Sequence, residues 1–520
     1  MKRPLPSAIL AGLFTLTSML TGAPSAPAPT TSPSKTAIEF PPSPFGVAWA
    51  FLFGYSGVPA VNYAPQLREV GAGFTKVYLF WQQIEPEKGR FDWTAVDAYV
   101  SQLPSPNAGL IALFSSSQWA TEKPSAMLPP SPAKNADDYY HFVFELVKHC
   151  RDRVRFWQND CEPNNPVFWN GTKEQFVAQS KIFHQAVKDA DPNAVVVLGG
   201  YDGLFVPPDL PAIDGRKRPP FPQQQVGLDF FDHVLREAKG AFDLFDLRLY
   251  GDPYTITARV DYIRRRMQAF GYERPILCTE YGGPNLFEFA ENRKYTNLVS
   301  TWSQAVTTAD KEGSPAGDHH PVNQIEKLYR EMSSLAPQTQ MFMQGCAPEL
   351  EAKFERIQSR SLVMRNLLGL SADVKAMVYW DLINMPGRRD DLMNLMYGKI
   401  GLFKVEGTRI GAPTLTAEVF ARMSQALAGV RRVRRVEVSD QPVLYVFDVE
   451  REGGQHCFVA WEMRDAFNGE DQPAHPHQWP CSARQAGAID VFGNEIPVTL
   501  SDGQLHLPVS INPVFINLRN

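Results

Sequence analysis

The chain has 520 residues, with 51 Lys and Arg against 56 Asp and Glu, so its formal charge is −5. This near-neutral balance gives no basic field for a phosphate backbone and argues against nucleic-acid binding. Hydrophobic residues at 44% and charged residues at 21% are the proportions of a folded globular protein, and 12% aromatic residues is a rich supply for so neutral a chain.

The chain opens MKRPLPSAILAGLFTLTSMLTGAPSA. Lys2 and Arg3 form a basic head, the apolar run from Ala8 to Leu20 is too short to span a bilayer, and small residues follow it. This pattern predicts a signal peptide over residues 1–25 and a secreted or periplasmic protein. Residues 26–42 read as a Pro/Ser/Thr-rich linker. No later segment stays apolar over the ~18 residues that a membrane helix requires, so no membrane association is expected after the leader is removed.

From residue 43 short apolar runs alternate with amphipathic helical stretches. The strand candidates begin at Phe45, Phe74, Gly109, Val154, Ala194, Leu244, Pro275 and Lys375. Each is bounded by turn or polar residues, as buried parallel strands are. Helical stretches follow near Ala60, Thr94, Asn135, Lys173, Gly227, Ile256, Leu350 and Thr414. In the fourth, Thr172 and Gln175 fit a capping box, and Phe176, Ser180, Phe183 and Val187 recur at helical spacing. Eight β–α units in a row predict an α/β fold, a (β/α)8 barrel over residues 43–429. The alternative, an open doubly wound sheet, calls for a Gly-rich phosphate turn after the first strand, and FGVAWAFLFGYSG matches that poorly.

Residues 282–349 are too many for an ordinary βα connection and read as an insertion at the C-terminal face, either a wall of a cleft or a bland elaboration. Past Gly429 short alternating strands replace the β–α rhythm, which predicts an antiparallel β-sandwich over residues 430–520. Six cysteines are present; Cys457 and Cys481 are the favoured disulfide pair if one forms, and buried free thiols are the alternative. His319, His320, His475 and His477 fall in polar, turn-rich stretches, and no metal site is expected.

Function in a barrel is sought where its strands end. Glu162 and Glu280 stand at the ends of apolar strands, where a carboxylate is costly without a purpose or a partner. Glycoside cleavage needs such a pair, one protonated to assist the leaving oxygen and one ionised to attack. One or two ion-paired structural glutamates are the alternative.

The run VRFWQNDCEPNNPVFWNGTKEQFV resembles the strand-4 segment of the clan A retaining glycoside hydrolases, and RPILCTEYGGP resembles their strand-7 segment. WQQIEPEKGRFDW, FDLRLYGDPY and VYWDL are similar to their second, sixth and eighth strand regions. The nearest flavour is that of glycoside hydrolase family 39 and its relatives, exo-acting β-glycosidases with an attached β-sandwich. The resemblance implies Glu162 as acid/base, Glu280 as nucleophile, a carbohydrate substrate and no cofactor. It implies that Tyr250 donates to Glu280 and that Trp380 floors the sugar subsite; Trp81 and Trp119 are further subsite candidates, and Arg248 could bond a hydroxyl, a carboxylate or Asp246. For each aromatic residue a plain core role is the alternative. The chain departs from the family at Cys161, where an Asn holds the sugar 2-hydroxyl. Asn159 or Asn164 could replace that Asn, the substrate could lack or modify the hydroxyl, or activity could have been lost. An endo-acting hydrolase and a catalytically weakened carbohydrate-binding barrel are the competing functions.

Overall fold

The computed structural model describes residues 38–41, 43–49, 52–201, 204–213, 215, 217–218, 220, 224–308, 317–385 and 387–519. The expected leader and most of the linker lie outside these residues. Eight strands form a closed parallel barrel in chain order: β1 (Phe45–Ala48), β2 (Phe74–Phe80), β3 (Gly109–Phe114), β4 (Phe156–Asn159), β5 (Val195–Tyr201), β6 (Leu244–Leu247), β7 (Ile276–Tyr281) and β8 (Val374–Tyr379), with β8 pairing back onto β1. Helices follow these strands and bury their apolar faces on the outside of the barrel. Asn135 caps the helix Ala136–His149 by accepting from the backbone N–H groups of Asp137 and Asp138. Thr172 and Gln175 form the reciprocal capping box that starts the helix Lys173–Ala190.

Outward strand residues such as Val77, Leu79, Ile111, Leu113, Phe245 and Cys278 join the helices in one continuous apolar core. Facing them across β2, β4 and β6, the inward residues include Lys76, Tyr78, Gln158, Asp246 and Arg248, all buried. A polar interior of this kind is stable only where each group has a partner.

Beyond β7 the chain makes short 3-10 turns and the helices Asn297–Thr307, Pro321–Arg330 and Pro337–Gln340 before the long helix Pro348–Ser371 returns it to the barrel. A hairpin of β9 (Phe403–Glu406) and β10 (Arg409–Pro413) comes after β8. The C-terminal part contains β11 (Val430–Val436), β12 (Leu444–Arg451), β13 (Gln455–Glu462), β14 (His475–Pro480), β15 (Gln485–Asp490), β16 (Glu495–Ile496), β17 (Thr499–Ser501), β18 (Gln504–Val509) and β19 (Val514–Arg519). They form a six-stranded sheet in the order β11-β12-β13-β19-β15-β16 and a three-stranded sheet β14-β18-β17, packed as a sandwich.

The sandwich is docked on the barrel by an aromatic cluster. Trp461 stacks on Tyr445 and Phe447 with centroids 5.6 and 5.0 Å away, and its indole N–H donates to the Tyr254 hydroxyl at 3.2 Å.

The structure decides between the two cysteine readings and moves two histidines. All six cysteines are free. Cys457 faces the barrel side of β13 with Val459 and Trp461, whereas Cys481 packs in the core between the two sheets. The sheet itself separates them, so they cannot pair. His475 and His477 lie on strand β14 rather than in a turn. Among the described residues no helix is long and apolar enough to cross a membrane.

Candidate active site

The inward polar residues form one connected network. Asp246 is its hub: its carboxylate accepts from Gln158 Nε2 at 2.8 Å, Arg248 Nε at 2.8 Å, the Thr279 backbone N–H at 2.8 Å and the Thr279 hydroxyl at 2.6 Å. The guanidinium of Arg248 needs space beside β5, and Gly200 supplies it. A Cβ on Gly200 would come within 2.5 Å of both Arg248 Nε and Asp246 Oδ2.

Glu280 owes its inward direction to an irregularity. Strict alternation along β7 would turn Glu280 opposite to Thr279. The register of β7 against β8 shifts between Cys278 and Tyr281, and Thr279 and Glu280 both point inward. Lys76 Nζ reaches the two of them, at 2.8 Å from Thr279 Oγ1 and 3.2 Å from Glu280 Oε1. The Tyr78 hydroxyl and Arg248 Nη1 also contact Glu280 Oε1, and the Tyr250 hydroxyl donates to Oε2 at 3.1 Å. Burial on its own would raise the Glu280 pKa, but the charges of Arg248 and Lys76 and the hydrogen bond from Tyr78 outweigh it and hold the group at about 2, so Glu280 is a carboxylate at neutral pH. Burial, reinforced by the charge of Glu280, raises Tyr78 well above its ordinary value, so that its hydroxyl keeps the proton it donates.

Glu162 lies three residues beyond the end of β4, and Arg248 Nη1 stands 3.8 Å from its Oε1. One guanidinium nitrogen therefore spans both glutamates. Cys161 lies beneath them, accepting from Arg248 Nη2 at 3.1 Å with its sulfur 3.5 Å from Glu280 Oε1. Burial lifts the Cys161 thiol well above its ordinary range despite the charge of Arg248, so it stays protonated.

Of the residues singled out from sequence, Glu162, Cys161, Arg248, Glu280 and Tyr250 meet at this point. Trp380 follows β8 and sits edge-on to Tyr397, whose ring is 5.5 Å from that of Tyr250, so it borders the same mouth. The structure takes the others elsewhere. Asn159 turns outward and donates to Ser180 Oγ of the adjoining helix at 2.9 Å, so it does not stand in for the missing Asn. Asn164 reaches toward Gly227, where a Cβ would meet its Nδ2 at 3.1 Å. Trp81 is fully buried, stacked on Phe142 at 4.8 Å and donating to Glu85 Oε2 at 2.8 Å, which leaves no face for a sugar. Trp119 packs against Trp81 and donates to the Glu85 carbonyl at 3.0 Å.

Lys76 and Tyr78 were not anticipated. Their signal was present in β2, FTKVYLF, where a lysine and a tyrosine two residues apart share one face of an otherwise apolar strand. A cavity of about 540 Å³ opens beside Tyr250 and is walled by Phe287 and Phe289 of the segment after β7 and by Met463 and Phe467 of the sandwich.

No protein-family model and no curated protein matches the chain. Solved structures do. A family 39 glycoside hydrolase from the gut symbiont Bacteroides cellulosilyticus WH2 superposes with a TM-score of 0.59 at 14% identity, over 92% of this chain and 81% of its own. The chain has the fold of the (β/α)8 glycoside hydrolases. A family 51 α-L-arabinofuranosidase, AbfB of Bifidobacterium longum, matches with a TM-score of 0.54 at 10% identity, covering 94% of this chain and 98% of its own. A monomeric β-xylosidase from Caulobacter crescentus CB15 matches with a TM-score of 0.52 at 15% identity, covering 91% and 96%. At these identities the likeness is one of fold.

Proposed function

We propose that the protein is a secreted retaining glycoside hydrolase that cleaves β-glycosidic bonds by double displacement, acting from the chain ends of oligosaccharides or on small glycosides. The observation that carries this reading is the Arg248 nitrogen that touches Glu280 and lies 3.8 Å from Glu162. With a charge-assisted contact of ~2.8 Å on one side, two oxygens bridged in this way are at most roughly 6.6 Å apart. Retaining enzymes place their carboxyl groups ~5–5.5 Å apart and inverting enzymes ~6.5–9.5 Å apart, so the bridge favours retention.

In the first step Glu280 attacks the anomeric carbon while Glu162 protonates the departing oxygen, leaving a glycosyl ester on Glu280. In the second, Glu162 takes a proton from water, which attacks the same carbon and releases Glu280. Tyr250 and Tyr78 hold the Glu280 carboxylate in line, and Trp380 offers an indole face to the C–H side of the sugar. The exo reading rests on the extra segment after β7, which carries the helices Asn297–Thr307 and Pro321–Arg330.

The second reading is a carbohydrate-binding barrel with weakened chemistry. It is favoured by the two cations, Lys76 and Arg248, on one carboxylate, which lower its nucleophilicity as well as its pKa. A panel of aryl glycosides, read for rate and product anomer, with fluoro-sugar trapping and mass spectrometry of the labelled peptide, separates the two. Retained anomer and a label on Glu280 are expected; inverted product ends the double-displacement reading, and no turnover of any glycoside favours the binding barrel.

A further inference from the structure

The sandwich holds a second cluster of chemical side chains. His475 and His477 lie two apart on β14, so both rings leave the same face of that strand. Glu462 ends β13, and its buried carboxylate meets both rings: His475 Nδ1 at 3.0 and 3.1 Å, and His477 Nε2 at 2.5 Å. One donor atom from each of the three lies within 4.8 Å of the others.

The far side of the His477 ring decides what this cluster can hold. His477 Nδ1 contacts the amide oxygen of Gln441, which can only accept. Nδ1 therefore carries the proton, and in the neutral ring Nε2 presents a lone pair. That lone pair faces a carboxylate oxygen, so either a second ring proton or a metal ion has to lie between them. Arg464 does not fill that place. Its Nε donates to Glu462 Oε2 at 2.6 Å, its remaining nitrogens reach the carbonyls of Gly469, Gln472 and Pro473, and Nη2 approaches His475 Nδ1 at 3.3 Å. It fixes one carboxylate oxygen and leaves Oε1 toward the two rings.

We propose that Glu462 Oε1, His475 Nδ1 and His477 Nε2 bind one divalent zinc-type transition-metal ion. Two imidazole nitrogens and one carboxylate oxygen are the donors such an ion prefers. Gln441 orients His477 from behind, as outer partners of metal sites do, and Arg464 holds Glu462 Oε2, its Nη2 giving way at His475 Nδ1 when the ion binds. Tetrahedral bonds of ~2.0–2.1 Å set ligand atoms about 3.3 Å apart, so each nitrogen has to move less than about 1 Å from Glu462 Oε1, and the two nitrogens, within 4.8 Å of one another, have to close by at most roughly 1.5 Å. The His475 side chain is exposed, which gives the ion a way in from solvent and leaves room for water as a fourth ligand. Bound there, the ion joins β13 of the six-stranded sheet to β14 of the three-stranded sheet. Its effect is on the sandwich, apart from Glu162 and Glu280.

The competing arrangements have His477 protonated on both nitrogens, or the Gln441 amide turned over, so that protons alone link the three groups. Chelator-treated full-length protein titrated with Zn²⁺ by calorimetry and with Co²⁺ by visible absorption distinguishes them. Expected are one ion per chain, tetrahedral Co²⁺ bands, proton release into the buffer and a Tm that rises with Zn²⁺. Gln441→Ala should weaken binding about 10–100-fold, and His477→Ala and His475→Ala should weaken it further, with the Tm in chelator showing that each variant is folded. Turnover of aryl glycosides should be the same in the His475→Ala variant as in the wild type. The proposal is overturned if the wild type takes up no stoichiometric ion, or if binding is undiminished in both histidine variants.

Discussion

The two glutamates at the barrel mouth are built in different ways. Glu280 lies within β7, turned inward by a register shift, and Lys76, Tyr78, Tyr250 and Arg248 all bear on its two oxygens. Glu162 lies on the loop past β4, with Arg248 Nη1 at 3.8 Å. A group that must stay ionised and keep one attack direction gains from a rigid strand and fixed donors. A group that must give up a proton and take it back gains from a place on a loop beyond the strand end, where its contacts can change between the two steps. The difference between the two settings thus matches the difference between the two proposed roles, and it can be broken experimentally.

The largest effect is expected at the strand-held carboxylate. Glu280→Ala removes the attacking group and should lower kcat by on the order of a thousandfold or more, a barrier rise of ~4 kcal/mol. Steady-state rates with an aryl glycoside measure it, and near wild-type turnover would remove Glu280 from the mechanism. Glu162→Gln should cost less, about a hundredfold or more, and its cost should depend on the aglycone. Substrates with good leaving groups need little protonation, so the loss should shrink as leaving-group acidity rises; a flat dependence would show that Glu162 is not the acid.

Much of the frame was legible in the sequence. All eight barrel strands begin within a few residues of short apolar runs, because a strand buried on both faces is mostly apolar and admits a polar residue only where it has a partner. Glu162 and Glu280 were visible for the opposite reason, as charges placed where such runs end. What surrounds Glu280 was not legible. Lys76 and Glu280 are 204 residues apart and meet only because β2 and β7 face one another across the closed barrel, which no local pattern records. The bulge that turns Glu280 inward also contradicts the period-2 rule that a reader applies to a strand. Trp81 fails in the other direction: a tryptophan after a strand end looks the same in sequence whether a sugar or Phe142 lies against it.

The donors around Glu280 sharpen the comparison further. Its pKa is lowered from the ordinary 4.5 to about 2. Because the folded value is the lower one, the stability gained from this pairing is complete above about pH 4.5 and is lost as pH falls through about 2. Lys76→Met should move the acid limb of kcat/KM upward within that window. It should also destabilise the protein by about 3 kcal/mol at pH 7, the low end for a broken buried pair, since Arg248 remains. The destabilisation should be smaller at pH 3. Denaturant unfolding at the two pH values tests this, and equal losses at both would show that Lys76 acts through packing alone.

The smallest effect belongs to Cys161, which lies between the two settings. Its thiol is buried and protonated, and a thiol is a weak hydrogen-bond donor. An Asn in its place could accept from Arg248 Nη2 with its oxygen and turn its amide N–H toward a sugar hydroxyl. Contacts to the 2-hydroxyl strengthen in the transition state of such reactions and supply several kcal/mol where they are well made. Here Arg248 already occupies part of that space, so Cys161→Asn should raise the kcat/KM preference for a 2-hydroxy glycoside over its 2-deoxy counterpart by only about tenfold, ~1.4 kcal/mol. An unchanged preference would mean that the guanidinium of Arg248, held against both carboxylates, already reads that position and that the thiol serves as its packing partner.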